Sequence, residues 1–394
     1  MHLKNIYTYI SNVPKIQNIF SIIFAQGIPT LLLLYLIFII SLQDDVAPKL
    51  ALITIFLTAM MNDLGLSKTV HFVFNQEDSL KTLVIQYKDI FEIFLYSIVG
   101  GLFLFLCNIL INQSNFSPSI FDFSILTLTT IIYVLTKAIF ESNGFFKLNI
   151  IYTTLFTSSL PIAFLYFNSL NLHNLFYILL YTRLFLSLFF LFFVFKNKLF
   201  FIGTRRQLGS LFSPSYAFSM ILTSIAVMSE RFIILMVNLV SMGTIYFILE
   251  FSTRFINISA LVSHAIFVWS NDNDDAIKLQ KYTFLKWAIL LSVMAYLAFM
   301  FSMILIIPDL NLNLLFYSIL ISYIFYFIAL KINVELLFSK KIEYLYLANL
   351  PTLLMFGFLV FNQDLITLIS FSIFLIIKSI SNLIIQFIIH RKLI

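Results

Sequence analysis

The sequence has few charged residues and a single cysteine. Charged side chains make up 11% of its 394 residues, whereas a soluble globular protein carries about 25%. Because so few charges cannot cover the surface of a water-soluble fold, the solvent of this chain is lipid. Cys107 has no second cysteine in the chain, which excludes an intrachain disulfide and a cysteine metal site.

Motifs of catalysis and nucleotide binding are missing as well. The sequence contains no H-E-x-x-H, no G-x-S-x-G, no phosphate-binding glycine loop and no G-x-G-x-x-G. It therefore predicts no ATP hydrolysis, no metal or organic cofactor and no enzymatic activity. The net charge of +6 follows from the distribution of basic residues among membrane loops, so it does not indicate nucleic-acid binding.

Runs of about 20 apolar residues recur along the chain, separated by short polar breaks, and each is long enough to cross a bilayer. They predict an all-α polytopic membrane protein with about 12 transmembrane helices. The first run is too long for a signal peptide and ends at no cleavage site. The predicted helices cover residues 18–42, 47–73, 89–111, 122–141, 148–167, 174–195, 214–238, 243–269, 284–307, 312–337, 343–361 and 365–389.

Basic residues fall almost entirely on one set of loops. If the N-terminus is inside, the outer loops carry Lys49 alone. The inner segments then carry Lys81, Lys88, Lys147, Lys196, Lys198, Arg205, Arg206, Lys278, Lys281, Lys286, Lys340, Lys341, Arg391 and Lys392. This asymmetry predicts that both termini are cytoplasmic.

The longest polar break, residues 196–213, falls at the midpoint after six predicted helices. It predicts an N-terminal lobe at 1–198, a cytoplasmic linker at 199–213 and a C-terminal lobe at 214–394. The ends of the second and eighth predicted helices resemble each other, with His71 before Asn75 in one and His264 before Asn271 in the other. Two parallel bundles of this kind are a known transporter architecture.

Several charges lie deep within the apolar runs. Arg183, Arg231, Arg254 and Lys378 would together cost on the order of 10 kcal/mol if they faced lipid, so they must face protein or water. An excess of such cations suits an anionic cargo such as a diphosphate, because arginine forms forked bonds to phosphate.

Two pairs of charges allow more specific expectations. Glu230 and Arg231 are adjacent, so they point about 100° apart on a helix and at least one needs a partner elsewhere. Glu250 and Arg254 are four residues apart, so they either pair within the helix or face a cavity.

Polar stripes mark two further helices, and histidines end two of the inward-running helices. Asp63, Ser67, His71 and Asn75 follow one another at spacing four, with Lys68 beside them, and Lys378, Asn382, Gln386 and His390 do the same in the last predicted helix. His71 and His264 are either proton carriers or neutral hydrogen-bonded histidines.

Four short motifs are distinctive: Asp63-Leu64-Gly65-Leu66-Ser67, Glu230-Arg231, Gly243-Thr-Ile-Tyr246 and Trp269-Ser-Asn-Asp272. They resemble motifs of the O-antigen and polysaccharide flippases. This family belongs to the MATE-like superfamily that also holds the multidrug and toxic compound exporters and the lipid II flippases. Two features depart from the family's pattern: Met242 stands where a valine precedes the glycine, and Gln26-Gly27-Ile28-Pro29 replaces an arginine-containing signature.

The resemblance implies a V-shaped pair of six-helix bundles in a bacterial inner membrane, with alternating access to a central cavity. It implies a cargo of undecaprenyl-diphosphate-linked oligosaccharide, the repeat unit of O-antigen, lipopolysaccharide or capsule, and allows a coupling proton or sodium ion and a polysaccharide polymerase as partners. The implied substrate contacts are Arg231, Arg254, Arg183, Lys68 and Lys378, and the implied counter-charges or ion-coupling residues are Asp63, Glu230, Glu250 and His264.

Three other functions are alternatives to the flippase. An ion-coupled multidrug exporter of the same superfamily predicts an acidic cavity, whereas the deep charges here are mixed to cationic. A membrane polysaccharide polymerase predicts a large arginine-bearing outer loop, and the predicted outer loops are short. A structural scaffold does not explain deep charges on so many helices. The flippase fits best, while the sugar and the coupling ion stay open.

Overall fold

The chain is a helical, polytopic membrane protein. Four described helices are long and apolar enough to cross a bilayer: Tyr87–Ile109, Ile120–Glu141, His173–Lys196 and Leu368–Lys392. The computed structural model describes residues 27–28, 31–32, 35, 75–77, 80–111, 116–143, 145–166, 172–203, 214–236, 245–256, 275–306, 314–338 and 345–393. Its helices are α1 (Tyr87–Ile111), α2 (Ile120–Ser142), α3 (Phe146–Tyr166), α4 (Leu172–Lys196), α5 (Pro214–Met236), α6 (residues 245–256), α7 (Asp275–Ile306), α8 (Leu314–Phe338), α9 (Leu345–Phe361) and α10 (Leu368–Leu393).

The helices match the apolar runs of the sequence. Most described ends lie within a few residues of their predicted places, and the turn predicted between the last two helices contains a 3-10 turn at Gln363–Leu365. Helix α7 differs, because it begins at Asp275 and so extends about nine residues before the predicted start. The first two predicted helices lie outside the described residues except for helical positions 27, 28, 31, 32 and 35. The count of twelve therefore stays a prediction.

A small three-stranded sheet interrupts the helical pattern. Its strands are β1 (Asn75–Glu77), β2 (Leu80–Ile85) and β3 (Phe200–Ile202), in the order β1-β2-β3. β1 runs antiparallel to β2, and β3 runs parallel to β2 with Leu83 opposite Phe200. The sequence prediction of an all-helical chain missed this sheet, which joins the segment before α1 to the segment after α4.

Apart from the short stretches between 27 and 35, the described residues form two compact units. One lies within Lys49–Ser224 and is called the N-terminal unit; the other lies within Ile225–Ile394 and is called the C-terminal unit. In the N-terminal unit, β2 is packed against the helices through a shared apolar core. That core comprises Leu83, Ile85, Ile131, Leu135, Ala138, Ile139, Phe140, Tyr152, Phe156, Phe190, Val194 and Leu199.

Helices α1 and α2 approach closely at two adjacent glycines. A Cβ atom added to Gly101 would lie 2.6 Å from the backbone nitrogen of Ser124, and one added to Gly100 would lie 2.6 Å from Cγ2 of Thr127. Glycine is therefore required for this crossing. Helix α2 starts with a capping box between Ser119 and Asp122, in which each residue bonds the other's backbone N–H.

In the C-terminal unit, α10 packs along both α8 and α9. Helix α6 is held against α7 by aromatic rings, and Phe251 stacks on Phe299 with centroids 3.5 Å apart. Serine hydroxyls within these helices bond the carbonyl one turn earlier, as Ser252 does to Ile248 at 2.7 Å. Such bonds satisfy polar groups without water and suit a helix in lipid.

Candidate functional site

Six of the nine predicted site residues belong to the described part of the chain. Glu230, Arg231, Glu250, Arg254 and Lys378 are in the C-terminal unit, and Arg183 is in the N-terminal unit. Asp63, Lys68 and His264 lie outside the described residues. The structure therefore addresses one cluster of five charges, called here the ion-pair network, and one separate arginine.

The first half of the ion-pair network joins α5 to α6. Arg231 is fully buried and its Nε donates to Oε1 of Glu250, which is also fully buried. The second oxygen of Glu250, Oε2, accepts from Nη2 of Arg254 at 3.4 Å. Glu250 thus lies between two guanidinium groups, and the pair expected within the helix and a pair between helices both form. Their mutual attraction offsets the loss of hydration that makes a buried charge costly.

The second half of the network joins α5 to α10 and α8. Nζ of Lys378 donates to Oε1 of Glu230 at 2.7 Å. The hydroxyl of Tyr323 donates to Oε2 of the same carboxylate at 3.3 Å, and it lies 2.6 Å from Oγ1 of Thr253. The ammonium of Lys378 also stands over the ring of Tyr326, 5.9 Å from its centroid. Glu230 and Arg231 therefore point to different partners, as adjacent residues of a helix must.

Arg254 differs from the other cations of the network. About 12% of its side chain is exposed, while Arg231 and Lys378 are buried. Its Nε has no hydrogen-bond partner among the described residues. The network holds three cations and two carboxylates, so it carries one excess positive charge when all five groups are ionised. Arg254 is the member best placed to bind a further anion, because guanidinium donors match phosphate and carboxylate oxygens.

Arg183 occupies a different environment in the N-terminal unit. Its Nε donates to Oγ of Ser159 at 3.0 Å, and its guanidinium lies 4.8 Å from the centroid of the Phe156 ring. The side chain is buried between α3 and α4. A cation over an aromatic face is stabilised without losing its charge, so Arg183 keeps the ability to attract an anion.

Sequence reasoning missed the tyrosines of the network. Tyr323 and Tyr326 lie in an apolar run of α8, so the hydropathy pattern does not distinguish them from their neighbours. The signal that could have identified them is chemical, because a tyrosine hydroxyl buried in a membrane helix needs a polar partner.

The described side chains contain no group of three His, Cys, Asp or Glu that could hold a metal ion, and both carboxylates of the network are already bonded to cations.

Comparison with known proteins identifies the fold. No protein-family model and no curated protein matches the sequence. Among solved structures, the chain is similar to the outward-facing conformation of a multidrug resistance MATE family transporter of the MOP superfamily, with a TM-score of 0.52 and 14% identity over 96% of this chain and 95% of that chain.

Two other solved structures have the same fold. One is a MOP superfamily transporter from Pyrococcus furiosus for which reverse polarity of the binding pocket suggests a different function, with a TM-score of 0.52 and 14% identity over 96% of both chains. The other is MATE in complex with MaD5, with a TM-score of 0.55 and 12% identity over 98% of both chains. At these identities the likeness establishes the fold: the chain is folded like the MATE transporters.

Proposed function

We propose that this protein is a membrane transporter that moves undecaprenyl-diphosphate-linked oligosaccharide from the cytoplasmic to the outer leaflet of a bacterial inner membrane. Two lobes, 1–198 and 214–394, joined by the linker 199–213, alternate access to a cavity, and both termini are cytoplasmic. The sugar head group passes through the cavity while the lipid tail stays in the bilayer. The protein acts by binding and conformational change rather than by catalysis.

The ion-pair network supports an anionic cargo. Three cations face two carboxylates in it, and Arg254 is its partly exposed cation; the Nε of Arg254 is buried and has no hydrogen-bond partner among the described residues. Arg231 and Lys378 are each bonded to a buried carboxylate, so their part is to fix the network and its charge. Within the proposal Lys68 and Arg183 supply further cargo contacts, and Asp63, Glu230, Glu250 and His264 are counter-charges or ion-coupling residues.

Pocket polarity varies among transporters similar in structure to this chain. The MOP superfamily transporter from Pyrococcus furiosus has a binding pocket of reverse polarity, which suggests a different function for it. For the cavity proposed here, a diphosphate is the anion that forked guanidinium bonds suit best.

The test is translocation of a lipid-linked oligosaccharide in proteoliposomes that contain the purified protein. Arg254→Ala should slow translocation at least about 10-fold, which corresponds to about 1.4 kcal/mol of lost cargo binding, and Arg254→Lys should restore part of the rate. Lys196→Ala, at the exposed end of α4, is the matched control for loss of one positive charge. Equal rates for wild type, Arg254→Ala and Lys196→Ala would refute the site.

An ion-coupled multidrug exporter is the second candidate. It is supported by the likeness to a multidrug resistance MATE transporter and by the two buried carboxylates of the network, which are groups able to exchange a proton or a sodium ion. The same proteoliposomes distinguish the two functions. Gradient-driven accumulation of a cationic drug, without translocation of the lipid-linked oligosaccharide, would select the exporter.

A further inference from the structure

A buried polar file runs along one face of α10. Lys378, Asn382 and Gln386 follow one another at spacing four, so their side chains share a face of the helix. All three are at least nine-tenths buried. An apolar face would pack equally well against α8 and α9, so the polar residues require a physical reason.

Hydrogen bonds connect these side chains in sequence. Nε2 of Gln386 donates to Oδ1 of Asn382, and Nδ2 of Asn382 donates to Oδ1 of Asn349 on α9 at 2.9 Å. One turn closer to the N-terminus of α10, Lys378 donates to Glu230. The file therefore leads along α10 to the ion pair between Lys378 and Glu230.

Three buried polar atoms on α10 and on the two helices packed against it have no hydrogen-bond partner among the described residues. They are Oε1 of Gln386 on α10, Oγ1 of Thr352 on α9 and the hydroxyl oxygen of Tyr326 on α8. Gln386 and Thr352 are only 3% and 1% exposed. Buried polar atoms in native proteins are bonded to protein or to ordered water, and a polar site with several such atoms is the kind that holds water.

We infer that these side chains hold a file of ordered water molecules that connects the Glu230–Lys378 ion pair to the end of α10 bearing His390. From Lys378 to His390 the helix rises about 18 Å, and His390, Arg391 and Lys392 form its last turn. That end is predicted to be cytoplasmic. The file gives water, and with it protons, access to an ion pair that is otherwise enclosed by helices.

Several neighbouring groups influence the charge state of the Glu230–Lys378 pair. A proton that arrives through the file meets a carboxylate that already accepts from Lys378 and Tyr323 and is adjacent in sequence to Arg231, which is bonded to the second carboxylate, Glu250. The other titratable and charged groups around the pair are Tyr323 and Tyr326 on α8 and Arg231 on α5. Arg231 is in turn bonded to Glu250 on α6, which also pairs with Arg254.

Cysteine accessibility tests the inference, because a thiol reacts with a methanethiosulfonate reagent only where water lets it ionise. In a Cys107→Ala background, Thr352→Cys introduces a thiol of nearly the same size on the proposed route, and Gln386→Cys introduces one nearer its mouth. Ser372→Cys is the matched control, since Ser372 is equally buried on α10 but its hydroxyl bonds the carbonyl of Leu368 at 2.8 Å.

Thr352→Cys and Gln386→Cys should both react at least about 10-fold faster than Ser372→Cys. They should react with reagent added on the same side of the membrane as the reagent that labels Arg391→Cys. Because the reagent is charged, it stays on the side of a sealed vesicle to which it is added. Vesicles of the two orientations therefore show from which side of the membrane each cysteine is labelled. Equal reactivity of Thr352→Cys, Gln386→Cys and Ser372→Cys, or labelling only from the side opposite Arg391→Cys, would overturn the inference. The assay needs neither cargo nor transport, so its failure and the failure of the proposed function are distinguishable.

Discussion

Glu250 is bonded to two arginines in a fully buried position. Without Arg231, this buried carboxylate keeps only Arg254, at 3.4 Å, as a cationic partner among the described residues, so its charge is poorly compensated, and such a loss costs more than the intact pair contributes. The guanidinium of Arg231 is the closer and more deeply buried partner. We therefore expect Arg231→Met to lower the free energy of unfolding by about 3–5 kcal/mol, seen as a lower Tm of the purified protein in detergent.

The double variant Arg231→Met/Glu250→Met is the control for this prediction. It removes both charges of the Arg231–Glu250 pair and leaves apolar groups of similar size, and the cation that remains, Arg254, is partly exposed. The double variant should therefore recover most of the lost stability, by analogy with other buried pairs that tolerate apolar replacement. If it is no more stable than Arg231→Met, the cost lies in packing rather than in the poorly compensated carboxylate.

Lys378 and Glu230 allow an independent prediction at the same scale. Lys378→Met removes the ammonium at 2.7 Å from Oε1 of Glu230, which leaves Tyr323 as the donor to that carboxylate among the described side chains. We expect a loss of about 3–5 kcal/mol, and Glu230→Gln in the Lys378→Met background should restore stability because it removes the unpaired charge. Thermal unfolding followed by circular dichroism measures both; no difference between the single and double variants would contradict the expectation.

At the scale of helices, the crossing of α1 and α2 depends on Gly101. A methyl group there would meet the backbone of Ser124, so the helices would have to separate. We expect Gly101→Ala to destabilise the protein by about 1–3 kcal/mol, the usual cost of overpacking. The measurement is the Tm in detergent.

Gly357 provides the matched control. It also lies within a helix, α9, but a Cβ atom added there would meet nothing within 4 Å. Gly357→Ala should therefore be neutral or stabilise by up to about 1 kcal/mol, through the higher helix propensity of alanine. Equal effects of the two substitutions would show that helix contact does not distinguish these positions.

Most described helices could be predicted because each is an apolar run that lipid forces to satisfy its own backbone hydrogen bonds. The strands could not. Strand β1 is polar and only three residues long, and β2 becomes a strand by pairing with a segment that lies after α4. Such pairing depends on how helices between them pack, and local pattern carries no record of it.

The site was predictable in part for a similar reason. A charge such as Arg231 in an apolar run stands out by its cost, so all five charges of the ion-pair network could be named from sequence. Which carboxylate each cation meets could not, because that depends on which helices are neighbours. Tyr323 shows the remaining gap, since its hydroxyl becomes part of the network only through the packing of α8 against its neighbours.

At the scale of the whole molecule, the distribution of basic residues predicts an orientation that the fold does not fix. Gln363 lies in the turn between α9 and α10, and Lys147 is exposed near the start of α3. With both termini cytoplasmic, Gln363→Cys should react with an impermeant maleimide added to intact cells, and Lys147→Cys should react only after the membrane is opened. The reverse pattern would invert the topology and, with it, the direction of the proposed transport.

The pairing of β2 with β3 has a consequence for synthesis. Leu83 and Phe200 are partners in the finished sheet, yet roughly 120 residues separate them, and a ribosome adds about 5–20 residues per second. β2 therefore exists for on the order of 10 s before β3 has been made. During that interval the apolar side chains of β2 lack one of their final neighbours and its edge is open to wrong partners. The sheet of the N-terminal unit can be completed only after β3 has left the ribosome. The rate at which the segment between β2 and β3 is translated therefore sets how long β2 can pair with wrong partners.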